Sequence, residues 1–212
     1  EHKITEAQLV ETQSGGEFND AYAKQLLADG VVEYIEPNYI ISLNAVTPND
    51  TQFASQWGLN NSGQTGGTAN IDVDAVEAWD LTTGSGSVVV GVVDTGVQYN
   101  HPDLAANMWN NPYEVAGNGI DDDHNGVVDD VYGYNAVANS GNPMDDHGHG
   151  SHCAGIIGAA GNNSRGIVGV NWNVKIMALK FLDSGGSGTL DDAIEAIEYA
   201  IRMRQAGVNL KV

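Results

Sequence analysis

Apolar positions along this chain fall into two rhythms. Residues 87–93, Ser-Val-Val-Val-Gly-Val-Val, form a short and nearly continuous apolar run that ends on Asp94. Residues 174–182, Val-Lys-Ile-Met-Ala-Leu-Lys-Phe-Leu, form a second one. Runs this short and this apolar predict strands buried on both faces, as in a parallel sheet. Elsewhere the period changes. A polar cluster at 145–155 flows into the small apolar run Ile156-Ile157-Gly158-Ala159-Ala160, which predicts a loop feeding the N-terminus of a buried helix. From about Asp191 to Gln205, the residues Ile194, Ile197, Ala200 and Ile201 share one helical face, and Gly207 ends the helix. Val208 to Val212 begins a further strand. Strand, helix and strand in alternation predict an α/β fold, a three-layer parallel sheet with helices on both faces.

The N-terminal stretch is different. Asn19 and Asp20 can cap a helix over Ala21 to Leu27, Gly30 closes it, and residues 31–35 read as a strand. This sets a segment at 1–46 apart from a main domain at 47–212. In the main domain, Ala75-Val76-Glu77-Ala78-Trp79-Asp80 predicts a short amphipathic helix opened by Asp72 or Asp74. The polar, glycine-rich stretch 60–70 is a surface loop.

Composition narrows the function. The chain has 212 residues and a formal net charge of -20, with a pI near 4.2. Phosphate binding needs a basic surface, so nucleic acid is excluded as a partner. The balance suits a soluble protein that binds cations. No apolar run reaches the ~18 residues of a membrane span, and no signal peptide is expected at Glu1. Cys153 is the single cysteine, which precludes an intrachain disulfide.

The polar cluster carries the candidate chemistry. Residues 145–155 hold His147, His149, His152, Cys153, Asp145 and Asp146. A histidine at a helix N-terminus feels the positive end of the helix dipole, which disfavours imidazolium and keeps the ring available as a base. Asp94 stands at the carboxyl end of a predicted strand, where open α/β sheets gather catalytic groups. Asp94 and His149 are two thirds of a Ser-His-Asp system. Other chemistries fit parts of the cluster. His147, His149 and His152 could ligate zinc in a hydrolase. His152, at i+3 from His149, reads more simply as a packed structural histidine, and Cys153 as a small buried group. A Cys153–His149 nucleophile pair would project both side chains from one helix, a poor geometry for attack. Asp94-Thr95-Gly96 also occurs in aspartic proteases, but those need two such motifs.

A second constellation is acidic. In 117–130, Asp121, Asp123 and Asn125 alternate, Gly126 permits a sharp turn, and Asp129 and Asp130 follow. This is the opening of a calcium loop, with Val127 and Asp130 completing the expected ligand set. Tyr132 stands where an EF-hand has glutamate, and no flanking helix pair is evident, so the loop is not an EF-hand.

Several of these stretches resemble one family. Val92-Val93-Asp94-Thr95-Gly96-Val97 resembles the aspartate motif of the subtilisin-like serine proteases, the subtilases. His149-Gly150-Ser151-His152-Cys153-Ala154-Gly155 resembles their histidine motif, with Ser151 where threonine is commoner and the cysteine similar to the proteinase K and thermitase branches. Gly30 to Tyr39 resembles the C-terminal end of a subtilase propeptide, a small α+β inhibitor and folding chaperone. Thr47 to Phe53, Trp57-Gly58-Leu59 and Asn100 to Leu104 continue the match.

The resemblance implies a secreted serine endopeptidase that cleaves polypeptides, represented here by a partial zymogen: 1–46 would be the C-terminal part of its propeptide, an intramolecular inhibitor, and 47–212 the N-terminal part of the catalytic domain. Asp94 and His149 would be catalytic. Gly186, Ser187 and Gly188 would pair with an extended substrate, with Leu182 lining the pocket for the second residue before the cut and Leu190 the pocket for the fourth, which would prefer apolar side chains. A structural calcium ion, separate from the acidic loop, would take Asp50, Asp103, Ala160, Asn163, Arg165 and Ile167. The family's nucleophile motif, Gly-Thr-Ser-Met-Ala, does not occur among these residues, so the chain alone is expected to be inactive. An inactive, protease-like binding protein is the non-enzymatic alternative.

Overall fold

In the computed structural model, residues 24–25, 27–30 and 46–211 are described. The chain divides into two compact units, Glu1–Ser42 and Leu43–Val212. In the first, the described residues are the end of a helix. The Asp29 amide donates to the Gln25 carbonyl at 2.9 Å, and Gly30 follows with φ +66°. The capping residues Asn19 and Asp20 and the strand expected at 31–35 lie outside the described residues.

The second unit is built on a parallel sheet. Strands β1 (Gly84–Asp94), β2 (Gly133–Asn135) and β3 (Asn173–Lys180) lie in the order β1-β3-β2, and both pairings are parallel. Helices α1 (Ala75–Trp79), α2 (His149–Gly158) and α3 (Leu190–Gln205) accompany it. The central strand β3 explains the continuous apolar run. Met177 and Leu179 pack on one face with Ala196, Tyr199 and Met203 of α3. Ile176 and Ala178 pack on the other with Val92 and with Ala154 of α2. With helices against both faces, alternate side chains have no polar side to point toward. A smaller cluster joins Phe53, Val76, Trp79, Val168 and Trp172 under α1.

Helix ends follow local chemistry. Thr189 caps α3 reciprocally: its hydroxyl oxygen accepts from the Asp192 amide at 3.1 Å, and Asp192 accepts from the Thr189 amide at 3.0 Å. Arg202 and Arg204 fall in its last turn, where cations suit the dipole. Asp74 is the N-cap of α1, yet no side chain caps that helix.

Two elements differ from expectation. The strand expected at 208–212 forms a single parallel bridge, Val89 to Leu210, held by the Val89 amide on Asn209 and the Lys211 amide on Val89. Strand β2 is only three residues long and carries Gly133 and Asn135, so its periodicity gives no signal. At Gly133, φ is +130° and an added Cβ would strike the Ala178 carbonyl, so the close approach of β2 to β3 requires glycine.

Leu179 is fully buried between β3 and α3. Leu179→Ala is expected to cost about 2–5 kcal/mol through lost burial and a residual cavity. Urea unfolding should show a lower midpoint with an unchanged slope.

Candidate functional site

Parallel strands put their carboxyl ends along one edge of the sheet. Asp94 ends β1 there, 9% exposed, and its main chain pairs in register with Lys180 of β3. His149 is the first residue of α2, and its side chain is 60% exposed. His149 Nδ1 lies 2.8 Å from both Oδ1 and Oδ2 of Asp94. A carboxylate only accepts, so Nδ1 carries the proton and Nε2 is left as the basic nitrogen. Asp94 Oδ1 also accepts from the Thr95 amide at 2.7 Å, which fixes the rotation of the carboxylate.

Asp145 holds the turn into α2. It accepts from the Thr95 hydroxyl at 2.9 Å, the His147 amide at 3.0 Å and the Gly148 amide at 2.9 Å through Oδ1. Through Oδ2 it accepts from the amide and the hydroxyl of Ser151. The Thr95 hydroxyl oxygen in turn accepts from the Gly150 amide at 2.9 Å. One carboxylate therefore ties the residue after Asp94 to the residues on either side of His149. An added Cβ at Gly150 would run into the Gly96 carbonyl, so α2 reaches Asp94 only because that position is glycine. Burial alone would raise the pKa of Asp145, but the Ser151 hydroxyl and the amides of Gly148, His147 and Ser151 outweigh it and hold the group below the usual carboxylate range.

The neighbouring candidates are placed plainly. Ser151 is turned to Asp145, and its oxygen accepts from the Gln98 amide at 2.9 Å, so it does not face the His149 ring. His152 is exposed, which corrects the expectation of a packed residue: its side of α2 faces solvent and not the sheet. Cys153 is half-buried, with Sγ 3.9 Å from His149 Nδ1. Burial pushes its thiol pKa up, with the Asp94 charge adding to the shift, which disfavours a thiolate nucleophile. The His147 and His149 ring centroids are 6.5 Å apart. Among the described residues, the side chains close enough to share a metal are Asp94, His149 and Cys153, and Glu114, Asp123 and Asp130. Neither set contains His147 or His152, so the three imidazoles do not converge as a zinc site needs.

The stretch after β3 forms an exposed turn. The Asp183 amide donates to the Ser187 carbonyl at 2.8 Å, and the Gly186 amide to the Asp183 carbonyl at 3.0 Å. Gly186 has φ +72° and lies against His147 Nε2. Leu182 is partly buried beside Gly188, whereas Leu190, at the start of α3, is 76% exposed. Gly186 thus sits next to the histidine loop, and Ser187 and Gly188 follow it in the chain.

The acidic loop closes on its own amides and reaches deeper than its spacing suggests. Asp121 accepts from the Asn125 and Gly126 amides. Asp123 accepts from Asn111 and Asn125, and the fully buried Asp130 accepts from both of these and from the Tyr199 hydroxyl. The Val127 amide donates to Asn125 Oδ1 at 2.8 Å. Glu114 joins Asp123 and Asp130, although it lies outside the alternating pattern. Its Oε2 is buried without a hydrogen-bond partner. Burial, with the charges of Asp130 and Asp122 beside it, pushes the Glu114 pKa up to about 7, against the Asp122 amide that donates to its Oε1. An orphaned, shielded oxygen beside two carboxylates fits a hard cation.

The second expected ion site also gathers. Asp50 and Asp103 are each 5% exposed. Asp50 Oδ2 accepts from the Asn162 amide at 2.7 Å, while its Oδ1 is buried without a partner. Asp103 accepts from Asn163 Nδ2 at 2.7 Å and the Ile167 amide at 3.0 Å, and its carbonyl accepts from the Ala160 amide. The Arg165 amide donates to Asn163 Oδ1. Three segments therefore meet around two buried carboxylates, and this set fits a cation as well.

Fold and site together define the class: an α/β protein on the plan of a serine-type peptidase, with an aspartate at a strand end orienting a histidine at a helix start. The chain belongs to the Subtilase family, whose profile matches residues 85–210. It is 45% identical over 163 residues to Subtilisin-like protease 1 of Plasmodium berghei (strain Anka), covering 76% of this chain and 26% of that protein. It is 37% identical over 193 residues to the Thermophilic serine proteinase of Bacillus sp. (strain AK1), covering 91% and 40% respectively. Among solved structures, the serine protease of Aeromonas sobria in complex with the chaperone ORF2 superposes with a TM-score of 0.56 at 25% identity, covering 76% of this chain and 26% of that one. The chain spans about a quarter of the length of the Plasmodium relatives it matches.

The acceptor role of Asp145 sets a pH dependence. Its folded pKa is depressed, so its contribution is fully present above the unfolded value of about 3.9 and is lost as pH falls through the folded value. Asp145→Ala is expected to cost about 1.5–3 kcal/mol at pH 7, because several donors lose a charged acceptor. In urea titrations the gap to the parent should be full at neutral pH and narrow in acid.

Proposed function

We propose that the whole protein is a serine endopeptidase in which Asp94 orients His149 and His149 acts as general base and then general acid. The observation that carries this reading is the contact of both Asp94 oxygens with His149 Nδ1 at 2.8 Å. Asp94 holds the tautomer and stabilises the imidazolium that forms. His149 Nε2 takes the proton of a serine hydroxyl and returns it to the leaving amine. The nucleophile motif Gly-Thr-Ser-Met-Ala does not occur in these 212 residues, so the mechanism is that of the whole protein.

The substrate is an extended polypeptide paired with Gly186, Ser187 and Gly188. Support comes from the exposed turn beside the histidine loop and from the glycines, which let a second backbone approach. Leu182 lines the pocket for the second residue before the cut and Leu190 the pocket for the fourth, where apolar side chains are preferred. Residues 1–46 are the C-terminal part of an inhibitory, chaperoning propeptide and 47–212 the N-terminal part of the catalytic domain, a reading supported by the chaperone bound to the Aeromonas sobria protease. The enzyme is assigned to the secreted space. No described helix is long and apolar enough to cross a membrane.

Calcium is proposed at two places. One site uses Asp50, Asp103, Ala160, Asn163, Arg165 and Ile167. The other uses the acidic loop, Asp121, Asp123, Asn125, Val127 and Asp130, with Glu114 added. When bound, the ion supplies positive charge that neutralises packed carboxylates, and it ties together segments distant in sequence.

The whole protein should hydrolyse chromogenic peptides, and His149→Ala or Asp94→Asn should reduce kcat by roughly 10⁴-fold or more. In the same assay, leucine should be preferred to aspartate at the fourth position; equal rates reject the assigned pockets. The isolated 212-residue chain should show no turnover. Turnover there that vanishes with His149→Ala would reveal another nucleophile and overturn the assignment.

Thermal unfolding tests the ions. Calcium at 100 times its Kd should add about 2.7 kcal/mol for each site, and a chelator should remove it. Asp103→Ala should lose the response of the first site. Glu114→Gln should weaken the response of the second while raising stability without metal at neutral pH, because it removes a carboxylate that resists ionising. A midpoint indifferent to calcium rejects both sites.

A further inference from the structure

Lys180 is the buried cation among the described residues, 3% exposed at the last position of β3. Burying an ammonium costs several kcal/mol unless its hydrogen bonds are made. Here all three are made. Nζ donates to Asp146 Oδ1 at 2.6 Å, to the Thr95 carbonyl at 2.7 Å and to the Leu182 carbonyl at 2.7 Å. The Asp146 side chain is 51% exposed, so it keeps much of its own hydration and does not need Lys180 to be tolerated.

The three acceptors belong to three different parts of the site. Thr95 follows Asp94. Asp146 lies in the turn that leads to His149. Leu182 opens the segment that carries Gly186, Ser187 and Gly188. The amides of Phe181 and Leu182 both donate to the Asp94 carbonyl, at 3.0 and 3.3 Å. Main-chain bonds therefore fix Leu182 from its amide side, and Lys180 fixes it from its carbonyl side. Farther along, Gly186 rests against His147, two residues from His149. Nothing else joins all three segments through one group among the described residues.

We propose that Lys180 is a positioning residue that sets the substrate-pairing segment relative to the Asp94–His149 pair. The inference rests on the reading of Gly186, Ser187 and Gly188 as that segment. Lys180 touches no reacting atom. Its three bonds convert two backbone turns and a loop into one rigid edge, so an extended substrate is presented to His149 at a fixed distance.

The test is Lys180→Met in the whole protein, which keeps an unbranched apolar stem in place of the lysine methylenes and removes all three bonds. Lys180→Met combined with Asp146→Asn also removes the carboxylate left behind. Two substrates are compared: a four-residue peptide anilide, which reaches residues 186–188, and a single-residue ester, which does not. Both variants should lose roughly 10- to 100-fold in kcat/KM on the long substrate, the scale of a small misplacement, and clearly less on the ester. Equal losses on the two substrates, or full recovery in the double variant, would mean that Lys180 serves stability alone and would overturn the proposal. A parent that cleaves neither substrate, or cleaves both after His149→Ala, refutes the peptidase reading instead. Amide hydrogen exchange then still decides the role of Lys180. Lys180→Met should speed exchange at Phe181, Leu182, Gly186 and Ser187 while Ala178 in the body of β3 is unchanged. No change, or a uniform rise, overturns it.

Discussion

Parallel pairing of β1 with β3 is the constraint on which the site depends. It places Asp94 opposite Lys180 and, through β2, Asn135 on the same edge. Once those carboxyl ends are level, the loops that leave them have to share one small region. Thr95, the 145–149 turn and the segment after Lys180 meet there. The Asp94–His149 pair is thus a product of sheet register as much as of local sequence. A shift of one residue in β3 would turn Leu179 from the α3 side of the sheet to the α2 side and carry Lys180 away from Thr95.

Acidic residues do different work in different settings. Asp145 organises backbone amides and stays ionised below the normal range. Asp183 does the same in the turn after β3, where the amides of Ser187 and Gly185 lower its pKa. Glu114 is the opposite case. Burial, with the charges of Asp130 and Asp122 beside it, raises its pKa to about 7. The net charge of -20 is therefore not a uniform surface field. Part of it folds loops by accepting from amides, and part is packed where a cation is the natural complement.

His149 depends on this division. Its ring is mostly exposed, so no tight pocket holds it. Orientation comes from Asp94 on one side and from Asp145 through the backbone on the other. Thr95 links the two, since its amide bonds Asp94 and its hydroxyl bonds Asp145. Glycine at 150 lets the helix come close enough for this linkage to form.

Sequence by itself determined the elements with strong periodicity or chemistry. The runs ending at Asp94 and Leu182 marked β1 and β3, and the spacing of Ile194, Ile197 and Ile201 marked α3, although the face the helix buries carries Ala196, Tyr199 and Met203 and leaves those isoleucines exposed. The strand-end aspartate and helix-start histidine marked Asp94 and His149 as partners, and the fold brings them to 2.8 Å. Tertiary structure alone decided what depends on distant partners. β2 was silent, being three residues of mixed character held by its neighbour. His152 could not be placed as exposed from its i+3 spacing, because spacing fixes the helical angle and not what covers it. Glu114 and Asn111 joined Asp123 and Asp130 only after the chain turned back on itself. Lys180 left one trace, a lysine inside the apolar run Ile-Met-Ala-Leu-Lys-Phe-Leu. What that lysine pairs with was fixed by three segments, 34 and 85 residues away in two cases, that only the folded sheet edge brings together.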